Sequence, residues 1–269
     1  MFINTQSEYY DIPKLDNILC NAQGKGISLF HCNIRSLPKN LTLLNDMLYS
    51  IDSRPDIIAV TETRLNSNSI SNVDLSNYNF FHSDSPKLTG GTAIYVNDTL
   101  KTIPSPDLII DLSSVESCWV EIDPGNNKKH IMIGCIYKHP SANVDEFTSI
   151  LNEFLQELNM NRYEVYILGD MNIDLLKHHT HLQTGRYLDM IYSHNLLPVI
   201  TKPTRITSHT ATLIDHIYTN TVNRLISGVI AVDISDHLPI FCTLETSLRK
   251  QNGQLYFRDY SKFNPESYL

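Results

Sequence analysis

Apolar residues in this chain come in short blocks, most of them of strand length. Ile27–Asn33 (ISLFHCN), residues 56–61 (DIIAVT), 92–96 (TAIYV), 117–123, His130–Lys138 and 165–168 (VYIL) are rich in β-branched and aromatic residues. Gly, Pro, Asn and Ser bound them, and this combination predicts strands. A run as apolar as DIIAVT predicts a strand covered on both faces. Two stretches have helical spacing instead. Leu41, Leu44, Met47, Leu48 and Ile51 predict a helix over 40–51, and Phe147, Ile150, Leu151, Phe154, Leu155 and Leu158 one over 144–158. A third helix is expected over roughly 187–194. Further strands are expected at 212–218, with Asp215 in its middle, and at 226–234 and 238–244. The Ser- and Asn-rich residues 66–79 read as a loop. Residues 1–26 are weakly patterned and read as a lead-in. Residues 27–246 read as one α/β domain, and 247–269 as a linker toward an absent C-terminal region.

Polar side chains recur where these strands end: Asn33, Glu62, Tyr137, Asp170, Asn172 and Asp236-His237. Loops at strand ends are where α/β folds build active sites. The most informative stretch is residues 165–175, VYILGDMNIDL. A buried strand runs into Gly169, and Asp170 and Asn172 follow two residues apart. On an extended tip, i and i+2 face the same side. The carboxylate can align or deprotonate a water, and the amide can donate to an oxygen that gains charge. An Asx turn after a strand has the same pattern. Asp215 interrupts an apolar run, and a buried Asp must be paired. Orienting His237, with one ring nitrogen held and the other free to meet substrate, is a use for it.

Composition narrows the chemistry. The net charge of −8 argues against binding nucleic acid by bulk attraction. It leaves room for an enzyme that clusters acids around a cation. Glu62, Asp170 and Asp236 offer the oxygen ligands that a hard divalent cation prefers, and Asn33 and Asn172 add neutral amides. The five cysteines are widely spaced with no CxxC pair; four sit in or beside apolar runs and read as buried thiols, which fits a reducing compartment. The histidines at 178, 179 and 181 have no Cys or acidic partners nearby and read as a solvated loop. Lys138, Lys202 and Arg205 are the basic groups nearest the motifs; they could meet phosphate oxygens or simply be solvated. No run approaches the ~20 apolar residues that span a bilayer. This inventory suits cation-assisted cleavage of a phosphate ester.

Seven segments carry a resemblance. HCNIRSL (31–37), TETRL (61–65), GGTAIYV (90–96), IYKHP (136–140), ILGDMNIDL (167–175), LIDHIYTN (213–220) and SDHLPIF (235–241) resemble, in this order, the endonuclease/exonuclease/phosphatase superfamily. That superfamily includes pancreatic deoxyribonuclease and the apurinic endonucleases. The wording is most similar to the N-terminal endonuclease domain of non-LTR retrotransposon polyproteins of the jockey or chicken-repeat type. The resemblance implies a four-layer α/β sandwich, two mixed sheets face to face with helices outside. It implies Mg²⁺, or Mn²⁺, with Glu62 as main ligand and Asn33 and Asp236 beside it. Tyr137 would contact the scissile phosphate, Asp170 would position the water, and Asn172 would hold a phosphate oxygen. His237, oriented by Asp215, would bind or protonate a phosphate oxygen. Thr204 and Arg205 would touch the nucleic-acid backbone.

The implied activity is nicking of one DNA strand to leave a 3′-hydroxyl, as in target-primed retrotransposition. Template RNA and a reverse transcriptase region of the same polyprotein would then be partners, and the setting would be intracellular, in the nucleus. A phosphatase of the same fold and a catalytically decayed DNA-targeting module are the alternatives. One departure stands out. Apurinic enzymes and several retroelement relatives have Tyr-x-Pro-Asn, and this chain has Tyr137-Lys-His-Pro140-Ser141. The carboxamide is missing, or Asn143 takes its place after a shift. This favours the retroelement branch over abasic-site repair.

Overall fold

The apolar runs assort into two large sheets. The computed structural model describes residues 7–65, 72–85, 89–105, 108–125, 128–158, 160–221 and 225–244. The first sheet holds β1 (Glu8–Tyr10), β2 (Ile27–Asn33), β3 (Ile57–Thr61), β4 (Tyr78–Ser83), β5 (Thr92–Asn97), β14 (Ile226–Ile230) and β15 (Ile240–Leu244), in the order β1-β14-β15-β2-β3-β5-β4. The second holds β6 (Thr102–Pro104), β7 (Val115–Ile122), β8 (His130–Lys138), β9 (Tyr163–Asp170), β10 (Leu197–Pro198) and β13 (Asp215–Thr219), in the order β10-β13-β9-β8-β7-β6. Both sheets are mixed. β1–β14, β2–β3 and β8–β9 run parallel, and the remaining pairs are antiparallel. A small hairpin, β11 (Arg205–Ile206) with β12 (Ala211–Thr212), stands apart.

Alternation along the strands sorts the core into layers. Leu29, Ile57, Ala59 and Ile94 of the first sheet share a cluster with Ile133, Cys135 and Val165 of the second. The Cys135 thiol reaches the Val60 carbonyl across the interface, 3.5 Å away. The intervening residues Phe30, Ile58, Val60 and Tyr95 point the other way. They pack on Leu15 and Leu19 of α1 (Ile12–Ala22) and Leu44, Met47 and Leu48 of α2 (Leu37–Tyr49). On the far side, α3 (Val144–Glu157) and α4 (Leu182–Ser193) lie against each other. α3 buries Phe147, Leu151 and Leu155, and its Phe154 ring meets Trp119 of β7 at 4.8 Å. The result is helix, sheet, sheet, helix: a four-layer α/β sandwich, as expected.

Several boundaries differ from the pattern reading, each for a local reason. The segment read as a lead-in carries β1 and α1. Asp11 accepts from the Lys14 amide, Pro13 sits in the first turn, and Leu15 and Leu19 share a face. Likewise α2 starts at Leu37, because Pro38 suits a first turn. α4 starts at Leu182, where His181 accepts from the Thr184 amide. One of the histidines expected in a solvated loop is therefore a helix cap. β4 starts at the end of the expected loop and runs past it, and its half-exposed, mixed sequence marks an edge strand. Asp215 opens β13 rather than sitting mid-strand. All five cysteines are free; Cys20 is exposed and the other four are buried. Among the described residues, no helix is long and apolar enough to cross a membrane. The expected linker at 247–269 lies outside the described residues.

Candidate active site

Strand pairing alone brings most of the site together. Tyr137 pairs with Asp170 across β8–β9, and Asp170 with Asp215 across β9–β13. Three polar residues thus line one end of the second sheet. Opposite, Asn33 pairs with Thr61, and Glu62 follows directly. Asn33 bridges the two sheets through one amide nitrogen. Its Nδ2 donates to Glu62 Oε1 at 3.0 Å and to Asp170 Oδ2 at 2.8 Å. The Tyr137 hydroxyl donates to Glu62 Oε1 at 3.3 Å, and Arg64 Nη2 to Oε2 at 2.8 Å. The loops here are unusual. Seven non-glycine described residues have positive φ, and Arg35, Ser36, Glu62, Arg64 and Asn172 of this site are five of them. Backbone strain of this kind collects where geometry must be held for function.

Asp170 is buried. Its Oδ1 accepts from the Asn172 amide at 2.9 Å. The Asx turn is therefore present, and Asn172 has left-handed backbone rather than an extended one. The Asn172 side chain is anchored too, donating from Nδ2 to the Lys138 carbonyl at 2.9 Å. Burial, with the Asp215 charge behind it, raises the Asp170 carboxyl to about 7. Burial also pushes Asp215 up, but the charge and hydrogen bond of His237 outweigh it and hold Asp215 below the usual carboxylate range. Asp215 Oδ2 accepts from Thr204 Oγ1 at 2.6 Å and pairs with His237 Nδ1 at 2.9 Å. Burial pulls His237 down, yet Asp215 raises it to about 9. The pair is thus imidazolium and carboxylate at neutral pH. Ser235 fixes the loop that carries His237. Its hydroxyl donates to the Asn33 carbonyl at 2.6 Å and accepts from the His237 amide at 3.1 Å.

Other expected site residues are placed differently. Asp236, expected beside the metal, gives both oxygens to arginines. Arg35 Nη1 lies 2.9 Å from Oδ1, and Arg205 donates to Oδ2 from Nη2 at 2.8 Å and Nε at 3.1 Å. Arg205 therefore grips Asp236, though its side chain remains 43% exposed. Thr204 is buried and serves Asp215, not a nucleic-acid backbone. Lys138 is buried, with Nζ donating to the His139 carbonyl at 3.1 Å, and burial lowers its pKa. Lys202 is exposed and away from these contacts. Asn143 does not replace the missing carboxamide; it caps α3 by accepting from the Asp145 and Glu146 amides. In the departed motif His139 instead lies 2.9 Å from Glu116, whose Oε1 also accepts from Ser85 at 2.6 Å. The contacts of Arg35, Ser235 and Glu116 are not legible in the sequence. Nothing in their local pattern separates them from surface or strand residues.

The titrations predict a stability maximum near pH 6.5–7 in chelator. Burial lowers His31 and His216 to about 4, so the folded chain excludes two protons that the unfolded chain binds below 6.5. Their stabilisation is present above 6.5 and lost as pH falls toward 4. Asp170 opposes this, because the folded state holds its proton up to about 7. From these groups, acidification below 6.5 costs about one net proton, on the order of 1 kcal/mol per pH unit. His237 is raised, so its contribution is complete below 6.5 and lost as pH rises through about 9. Denaturant titrations from pH 4.5 to 9 would show a dome. A flat or monotonic profile would contradict these assignments.

Comparison with known proteins agrees with this fold. No curated protein sequence matches the chain significantly. Among solved structures, the 3′-5′ exonuclease NExo from Neisseria meningitidis is similar, with 15% identity over 82% of this chain and 100% of that one, at a TM-score of 0.65. The endonuclease domain of TRAS1, a telomere-specific non-LTR retrotransposon, matches at 14% identity over 84% of this chain and 100% of that one, TM-score 0.62. The AP endonuclease LMAP from Leishmania major matches at 12% identity over 82% and 88%, TM-score 0.64. At these identities the likeness is one of fold. A sequence profile matches residues 18–237, from within α1 to His237 at the site, and on that match the chain belongs to the Endonuclease/Exonuclease/phosphatase family.

Proposed function

We propose that the chain is a divalent-cation-dependent phosphodiesterase that nicks one strand of DNA and leaves a 3′-hydroxyl. The observation that carries this reading is the pairing of two acid–base groups in one buried site. Asp170, raised to about 7, sits between Asn33 and Asn172, within reach of His237, which Asp215 keeps protonated. A base poised near neutral pH beside a fixed imidazolium suits hydrolysis of a phosphodiester. Water attacks phosphorus and its proton passes to Asp170. The bond from phosphorus to the 3′ oxygen breaks, and that oxygen takes a proton from solvent. His237 donates its free ring N–H to a phosphoryl oxygen as charge develops there.

The residues present fit a hard cation. Glu62 and Asp170 face each other across the Asn33 amide nitrogen, and each offers carboxylate oxygens with no thiolate in the set. Glu62 would hold the cation with Asn33 beside it. When bound, it would polarise the phosphoryl group and stabilise the leaving oxygen. Arg35, Arg64 and Arg205 are partly exposed around this centre and suit a polyanionic substrate. The motif wording and the likeness to the TRAS1 domain support placing the chain among retrotransposon endonucleases. On that reading it acts in the nucleus beside a reverse transcriptase region and its template RNA.

Supercoiled plasmid tests the proposal. With Mg²⁺ or Mn²⁺ the product should be nicked circles that a DNA polymerase extends without end repair; chelator should stop the reaction. Hydrolysis of inositol phosphates or nucleotides with plasmid left intact would replace this reading with that of a phosphatase. DNA binding without turnover in either metal would indicate a decayed targeting module.

A further inference from the structure

The inter-sheet face of β2 and β3 is apolar at Leu29, Ile57 and Ala59, and one residue breaks it below the site. His31 lies between Leu29 and Asn33 on the same face, with no exposed surface. Its Nε2 is 3.2 Å from Thr61 Oγ1. Its Nδ1 has no hydrogen-bond partner, and neither has Asp215 Oδ1. These two buried atoms face each other at 3.9 Å. A buried imidazole nitrogen and a buried carboxylate oxygen that lack other partners are each expensive to maintain.

We infer that His31 is a positioning residue for the reaction, aiming its Nδ1–H at Asp215 Oδ1 and so fixing the carboxylate that holds His237. The tautomer follows from charge. A lone pair on Nδ1 would face a carboxylate and be repelled. The N–H therefore sits on Nδ1, and the Thr61 hydroxyl donates to Nε2. Asp215 is then held from three sides, by Thr204 and His237 on Oδ2 and by His31 on Oδ1. The separation exceeds a hydrogen bond, so in this state the contact is one of charge and dipole in a dry environment. Such contacts in substrate-free sites commonly tighten in the complex. This inference deepens the proposed phosphodiesterase reading and rests on it for its kinetic test.

Three substitutions separate positioning from packing. In His31→Asn the amide nitrogen stands near the place of Nδ1 and can still donate to Asp215. In His31→Gln it stands near the place of Nε2 and serves Thr61 instead. His31→Leu keeps bulk and donates nothing. Plasmid nicking should show kcat lowered about tenfold in His31→Leu and His31→Gln, with KM within about twofold, and recovery in His31→Asn. The proton on His237 Nδ1, followed by NMR without substrate, should be retained in His31→Asn and shifted or lost to exchange in the other two. Equal activity in Gln and Asn variants, or an unchanged His237 proton in His31→Leu, would overturn the inference. If wild-type protein nicks no DNA, the function reading falls, and the NMR comparison alone decides the role of His31.

Discussion

Asp170→Asn is expected to lower kcat about 10²–10⁴-fold, the range of a positioned acid–base group, while DNA affinity stays near wild type. The reason is where the carboxylate sits. Oδ1 accepts from the Asn172 amide and Oδ2 from Asn33, and the side chain is 1% exposed. Asparagine keeps the shape and one acceptor but has no basic oxygen to receive the water's proton. It should cost little stability at pH 7, since removing a desolvated carboxylate offsets the lost acceptor. Its acid limb should be steeper than wild type. Without the opposing proton on Asp170, unfolding between pH 4 and 6.5 takes up about two protons through His31 and His216. Single-turnover nicking, DNA binding in chelator and denaturant titration at several pH values check the three parts. Turnover within tenfold of wild type would remove Asp170 from the water-activating role.

Gly169→Ala is expected to be the most damaging single-methyl change at the site. Gly169 has φ +152, and a Cβ there would lie 1.8 Å from the Ile136 carbonyl oxygen. That oxygen belongs to the neighbouring strand, in register with Gly169, so no side-chain rotation relieves the clash. Either β8 and β9 separate or the register next to Asp170 shifts. The expected cost is about 3 kcal/mol or more, above that of left-handed strain alone, together with loss of nicking. Gly125→Ala is the control. Its φ is +71, but a Cβ there meets nothing within 4 Å, so about 1–2 kcal/mol of backbone strain is all it should show. Denaturant midpoints for the two variants make the comparison. Equal stabilities would refute the close-approach argument.

Much of the frame could be read from one-dimensional pattern. The run 130–138 matches β8 residue for residue, and the helix expected at 144–158 is α3. Both have strong local periods and clear punctuation. β4 and β1 could not be read this way, because edge strands with mixed polarity have no distinct period. They form because a neighbouring strand offers its free backbone groups.

Local chemistry in the sequence was enough to pick out Asp170, Asn172, Asp215 and His237, because polar residues interrupting or ending apolar runs stand out. It determined the strand-rich α/β class and the oxygen-rich, thiolate-free character of the site. The partners of each group were decided only by tertiary structure. Asn33 meets Asp170 across 137 residues of chain, and Ser235 meets Asn33 across 202. Asp236 turned out to face Arg35 and Arg205, and Thr204 to hold Asp215. Hydrophobic period is a property of neighbours along the chain, whereas a hydrogen bond depends on positions within about 3 Å in space. Strand register and the packing of two sheets set those positions, and neither is written in any single segment.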